Sequence, residues 1–324
     1  MYSIVTLTLT FSIYYLLKSL RDNKFKNKLL FSLFSYLSFL TFYGSIFLII
    51  PVFIYLLYKK RYKIFLFSFL IFTFSVILLS PLLYEQLINA KQQLALVVNW
   101  NKVLGTSDIK NFLLIPIKFS IGRISFYPKW FYWSISLVWT GFIWYFIVMG
   151  RLKNKLLFFL LMATLVLGVL FSFFTPVLQY FRFLYLIPLI SLLIASGLSK
   201  FHLRRGNWIA ALGFIFFSLI YLLNSTFHRE DWKSLAEGID SNKVYMIYTS
   251  SDPLQYYRKD IEVIDLKKIA QNKIIDKDIY IIPYSSDIHY LNYKNILSER
   301  KYKLEDKITY RGLILEKWKR YGAM

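Results

Sequence analysis

Over the first 223 residues, apolar side chains gather in runs of roughly 14–21 positions, broken by short polar stretches. A membrane-crossing helix needs about twenty apolar residues. On that rule the pattern predicts about eight spans, at 1–17, 29–42, 44–58, 64–83, 130–150, 156–174, 183–198 and 208–223. The polar turn Thr41-Phe42-Tyr43-Gly44-Ser45 separates the second from the third, because one helix through both would be too long to fit without strong tilt. The expected fold class is therefore a multi-pass α-helical membrane protein.

From Asn224 onward the period changes. Trp232, Leu235, Ala236 and Ile239 share one helical face, with Glu230 and Asp231 at its positive end. A strand follows at 244–248, then a helix opened by Asp252-Pro253. Further strands are expected at 261–264 and 279–282, and a helix near 290–298. The pair 307–310 and 313–317 reads as a hairpin turned at Arg311-Gly312. Alternating strands and helices predict a small C-terminal α/β soluble domain, 224–324, after a transmembrane helical domain, 1–223. The soluble part has no glycine-rich phosphate loop and no G-x-S-x-G, so catalysis is not expected there.

Charge sharpens this division. Residues 1–223 hold three acids, Asp22, Glu85 and Asp108, so carboxylate chemistry has few candidates in the membrane part. The formal net charge of +22 arises largely from clusters between apolar runs, at 18–28, 59–63, 151–155 and 200–205. They occupy every second loop and are all cytoplasmic under the positive-inside rule. They read as topology, and no nucleic-acid partner is expected. Loops 41–45, 84–129 and 175–182 and the C-terminal domain are then extracytoplasmic. The amino terminus is external too. Met1 opens directly on an apolar run, with no basic segment or cleavage site before it, which predicts an upstream N-terminal half.

The chain is 57% hydrophobic and 20% aromatic, a bias that an AT-rich coding sequence explains. It has no cysteine, which excludes disulfides and thiolate metal sites. His202, His228 and His289 lack the spacing of a zinc site, so no metal ligand is read from them. No cofactor is required; a divalent cation is the single candidate.

No charge lies deep inside a span, which weighs against a proton-coupled transporter. The informative polar groups sit at the external rim. Arg182, in Thr175-Pro176-Val177-Leu178-Gln179-Tyr180-Phe181-Arg182, suits a phosphate through paired hydrogen bonds. It equally suits an interfacial anchor beside Tyr180 and Tyr185. The loop 84–129 carries Lys102, Lys110, Lys118, Arg123 and Lys129 around the apolar positions 113–126. It reads either as an anionic-lipid site or as a plain interfacial element. Asp231 and Trp232 read as substrate contacts or, from local features, as a helix cap and core anchor.

Several segments together resemble a known family. They are Met1-Tyr2-Ser3 into an apolar helix and a Lys/Arg cluster, and the hairpin Thr41-Phe42-Tyr43-Gly44. Further on come Gln179-Tyr180-Phe181-Arg182-Phe183-Leu184-Tyr185-Leu186-Ile187-Pro188 and His228-Arg229-Glu230-Asp231-Trp232. Their order resembles that of bacterial GT-C membrane glycosyltransferases of the protein-mannosyltransferase and lipid A aminoarabinose-transferase type, over most of the chain. The resemblance implies transfer of a sugar from a polyprenyl-phosphate carrier to an acceptor at the extracytoplasmic face of the cell membrane. It implies a lipid-phosphate role for Arg182 and places Tyr43 in the hairpin motif, with Phe42 where relatives often have His. In the family, the catalytic Asp lies in an external loop upstream of the Met-Tyr-Ser start. Asp108 and Glu85 are the available substitutes, and Tyr180, Lys118 and Arg123 join Arg182 and Tyr43 as expected carrier contacts. The expected partners are the bilayer, a polyprenyl-phosphate sugar and an acceptor. A non-catalytic carrier-binding scaffold, and then a flippase or transporter, are the competing functions.

Overall fold

The computed structural model describes residues 1–97, 99, 105, 107–199, 204–270 and 276–321. Lys102, Lys200 and His202 lie outside the described residues. The chain divides into two compact units: Met1–Ala90 with Leu104–Leu223, and Lys91–Val103 with Asn224–Met324. The segment 91–103, read from sequence as part of a membrane-side loop, groups with the second unit.

The first unit is helical. Its helices are α1 (Tyr2–Asp22), α2 (Phe25–Thr41), α3 (Ile46–Tyr58), α4 (Tyr62–Leu96), α5 (Ile109–Ile121), α6 (Lys129–Gly150), α7 (Lys155–Ser172), α8 (Ile187–Leu198) and α9 (Arg204–Leu223). Among the described residues, six helical stretches are long and apolar enough to cross a membrane: Tyr2–Asp22, Tyr62–Gln92, Lys129–Gly150, Lys155–Ser172, Tyr180–Leu198 and Gly206–Leu223. Two of the eight predicted spans fall short of that measure. The run Tyr43–Tyr58 is shorter than the rest, and α2, at 17 residues, is diluted by Lys26, Lys28 and its serines. Helix α4 runs to Leu96, well past the predicted end at 83, so Glu85 lies on a helix and not in a loop.

Hydroxyls join the first helices. Ser12 Oγ lies 2.7 Å from Ser35 Oγ, and Ser38 Oγ donates to Thr8 Oγ1 at 2.9 Å, both between α1 and α2. Ser32 Oγ donates to Ser68 Oγ on α4 at 2.9 Å. The serines of α2 recur every three residues, so one face meets both neighbours. Small polar residues let apolar helices approach closely where lipid supplies no hydrophobic drive. Helix α3 lies antiparallel to α7, with Phe47 against Phe171 at one end and Tyr55 against Phe159 at the other. Helices α6 and α8 approach closely at two glycines. Gly150 meets the backbone of Leu193 and Gly197 that of Phe146, each partner residue lying four before the other glycine. Beyond them Lys153 Nζ donates to Ser199 Oγ and Asn154 Nδ2 to Ser196 Oγ. These contacts gather the basic segments 18–28, 59–63 and 151–155 and the start of α9 at one end of the unit.

The second unit carries α10 (Trp232–Glu237), β1 (Lys243–Met246), α11 (Asp252–Tyr257), β2 (Glu262–Asp265), β3 (Asp278–Ile282), α12 (Tyr293–Glu299), β4 (Tyr302–Tyr310) and β5 (Leu313–Arg320). The strand order is β2-β1-β3-β5-β4. The first three strands are parallel; β5 is antiparallel to both β3 and β4. One sheet face packs on Trp232, Leu235 and Leu254, the other on Leu266, Tyr293 and Leu297, giving three layers. Strand β4 starts at Tyr302, five residues before the predicted start. Its exposed Lys303, Glu305 and Asp306 hide the alternation, and such charges suit an edge strand. Asp231 caps α10, its carboxylate accepting from Ser234 N at 3.2 Å and Ser234 Oγ at 2.9 Å. Trp232 is buried in the core, so both residues have the local structural roles.

Candidate functional site

The end of the first unit opposite the basic segments is assembled by aromatic residues. The turn after α2 places Phe42 against both Tyr2 and Tyr185, with ring centroids 5.6 and 6.1 Å apart. Tyr2 also meets Phe181 at 6.2 Å. The fully buried Tyr185 donates its phenol to the Gly44 carbonyl at 3.1 Å, tying the 41–45 turn to the 180–186 segment. That segment is a 3₁₀ helix leading into α8, whose Pro188 lies in its first turn. The tighter winding of a 3₁₀ helix brings residues three apart into line. It places Arg182 in one cavity and Leu184 in another.

The first cavity, about 540 Å³, is lined by Phe42, Tyr43, Ile46, Phe47, Arg182 and Phe183, among others. Among the described residues, Arg182 is the one charged residue of that lining, and no carboxylate belongs to it. The guanidinium is half-buried, and its Nε is buried without a hydrogen-bond partner among the described residues. Tyr2 is within electrostatic reach of it. A guanidinium nitrogen buried without a partner is costly, and an anion that accepted its hydrogen bond would remove much of that cost. Tyr43 is exposed at the cavity edge and donates to Gln86 Oε1 on α4 at 2.6 Å, a partner that sequence reasoning missed.

The second cavity, about 510 Å³, is lined by Lys118, Arg123, Leu184, Ile187 and Phe217, among others. Lys118 Nζ donates to the Ile124 carbonyl at 2.8 Å and to Tyr132 Oη at 3.1 Å. Burial first, and then the positive charges of Lys129 and Arg123, push its pKa down to about 8. Arg123 is exposed beside it. Tyr180 is half-buried against the helical core and meets Phe181 edge-on.

The expected site residues thus separate. Arg182 and Tyr43 share one cavity and Lys118 and Arg123 another, with the 180–187 segment contributing to both. The two substitute acids stand apart from both linings. Asp108 accepts from Asn111 N at 2.6 Å as the cap of α5, and Glu85 is exposed on α4. Among the described residues no three of His, Asp and Glu gather as a cation site. The roles of Tyr2, Tyr185 and Gly44 were not read from sequence. Sequence placed Tyr2 and Gly44 in motifs and Tyr185 beside Arg182, without showing that they meet. No family model, curated protein or solved structure matches this chain.

Proposed function

We propose that the first unit holds the phosphate of a polyprenyl-phosphate-linked sugar against Arg182 and serves sugar transfer to an acceptor at the extracytoplasmic membrane face. One observation carries this: a half-buried guanidinium, unpaired at Nε, is the single charge in an otherwise apolar cavity. Such a cavity suits a ligand with an anionic head and a hydrocarbon tail. In transfer, the guanidinium neutralises charge that grows on the leaving phosphate, while a base takes the acceptor's hydroxyl proton. The chain provides the first function at Arg182.

A second reading has its own support. Since no carboxylate lines the Arg182 cavity, the chain binds the carrier and leaves the base to another protein or segment. On either reading the positive-inside rule sets the basic segments in the cytoplasm and the second unit outside, in a cell membrane crossed by about eight spans.

Titration of the chain in nanodiscs with polyprenyl-phosphate hexose tests the shared claim. Charge-assisted hydrogen bonds of about 1.5–3 kcal/mol predict a loss of roughly tenfold or more in affinity for Arg182→Ala. Arg182→Lys keeps the charge without the fork and falls between. Unchanged affinity in Arg182→Ala rejects the phosphate role, and sugar transfer by the purified chain alone rejects the scaffold reading.

A further inference from the structure

Strands β1 and β3, adjacent and parallel in the second unit, end in loops that repeat one another. Residues 244–252 and 279–287 align over nine positions, and each closes on the same triplet, Ser250-Ser251-Asp252 and Ser285-Ser286-Asp287. Two backbone hydrogen bonds recur as well, although Ser285 takes a φ of 66° that Ser250 does not share. Ser251 N donates to the Tyr248 carbonyl and Ser286 N to that of Pro283, both at 3.1 Å. Leu254 N donates to the Ser251 carbonyl at 2.9 Å and His289 N to that of Ser286 at 3.1 Å. The equivalent serines meet, Ser250 Oγ lying 3.4 Å from Ser285 Oγ.

From this meeting point the chain departs in opposite directions. After β1 it crosses through α11, whose Leu254 packs on one sheet face; after β3 it reaches α12, whose Leu297 packs on the other. The strand order β2-β1-β3 therefore has its topological switch between β1 and β3. Loops that diverge at a switch point leave a crevice outside the carboxyl ends of the strands, where open α/β sheets bind their ligands. Here the duplicated triplets stand at that place, directly after the carboxyl ends of β1 and β3. Asn99 holds the second loop, donating from its backbone to the Ile288 carbonyl at 3.0 Å and from Nδ2 to that of Asp287 at 2.9 Å.

The chemistry of these loops narrows the ligand. Residues 248–252 and 283–290 contain no Lys or Arg of their own, and Lys267, within electrostatic reach of His289, is the cation that faces them among the described residues. Asp252 and Asp287 are exposed, and neither carboxylate has a hydrogen-bond or ion-pair partner among the described residues, although that of Asp287 is within electrostatic reach of Tyr293. Tyr248 and Tyr290 present rings that are 53% and 77% exposed. His289 is held below its ordinary pKa by burial and then by Lys267, against the opposing pull of Asp265, and so favours its neutral form. Carboxylates that accept, hydroxyls that donate or accept, and bare aromatic faces match a ligand rich in hydroxyl groups. A cationic peptide would meet two carboxylates on a chain of net charge +22, which opposes its approach.

We infer that the crevice between the Ser250-Ser251-Asp252 and Ser285-Ser286-Asp287 loops is a binding site for a neutral saccharide. A free oligosaccharide has neither phosphate nor lipid, so this site stands independently of Arg182.

The test uses the full chain in lipid nanodiscs, free of sugar-based detergent, with maltotriose, mannotriose and chitotriose followed by saturation-transfer NMR and calorimetry. At least one binds saturably, and Asp252→Asn with Asp287→Asn weakens it at least tenfold while the melting temperature stays at the wild-type value. Tyr290→Ala, at an exposed ring outside the core, is the second variant and weakens binding severalfold. Failure of all three sugars to bind, affinity unchanged in both variants, or preferential capture of oligolysine overturns the inference.

Discussion

Gly197→Ala tests the close packing of α6 and α8 most directly. A Cβ at position 197 would lie 2.8 Å from the Phe146 carbonyl carbon, and closer still to its oxygen. Ordinary contact begins at about 3.4 Å, so the helices must part by roughly half an ångström or more, in an interior packed like an organic crystal. Overpacking of that kind costs about 1–3 kcal/mol. Alanine returns about 1 kcal/mol of helix propensity, leaving a net loss on the order of 1 kcal/mol. Gly141→Ala on α6 is the matched control, since a Cβ there meets nothing within 4 Å and only the propensity gain remains. The two variants should differ by about 1–3 kcal/mol, which is the overpacking cost itself. Gly150→Ala combined with Gly197→Ala should cost less than the two single losses added, because one separation relieves both clashes. Unfolding by denaturing detergent, followed by circular dichroism, gives the differences. Equal stability changes for Gly197→Ala and Gly141→Ala would refute the close approach.

Further predictions concern polar groups. A double-mutant cycle of Ser12→Ala and Ser35→Ala should show a coupling near 0.6 kcal/mol, the average for such bonds in membranes; zero coupling would mean the two hydroxyls do not meet. Lys118 has a folded pKa lowered to about 8 from an ordinary 10.5, so between these values the unfolded chain binds the extra proton and stability rises with pH. Melting of wild type against Lys118→Met from pH 7 to 10.5 should show that rise in the wild type alone, and parallel curves would contradict it. Glu316 is buried and accepts from the Tyr293 phenol at 3.0 Å and the Trp318 indole at 2.9 Å. Glu316→Ala strands both donors and should cost about 2–4 kcal/mol in the second unit, read as early loss of its near-ultraviolet signal; an unchanged transition would show that the network is dispensable.

Much of the architecture was legible because its physics is local. Apolar runs mark membrane helices, and the polar turn at 41–45 separates α2 from α3 as expected. The Asp231 cap and the turn at Arg311-Gly312 were equally readable, since each depends on a few neighbouring residues. The long end of α4 was not, because its hydropathy falls after Tyr84 while its helix formers Glu85, Gln86, Ala90 and Gln92 continue. The candidate site was legible by residue type and not by grouping. Arg182 and Tyr43 lie far apart in sequence, and their common cavity depends on how the 41–45 turn meets the 180–186 segment. No period in the chain encodes that meeting. The repeated Ser-Ser-Asp loops gain meaning only when β1 and β3 are known to be neighbours.

The hydrogen bond from Tyr185 to Gly44 sets a mechanical limit on the Arg182 cavity. It fastens two of its walls together, and the Tyr185 side chain that makes it is fully buried. Spreading the walls would strand the buried phenol, at about 1–3 kcal/mol. The aperture therefore has a preferred breadth, and single-chain isoprenoid tails should enter more readily than bulkier or ring-bearing ones.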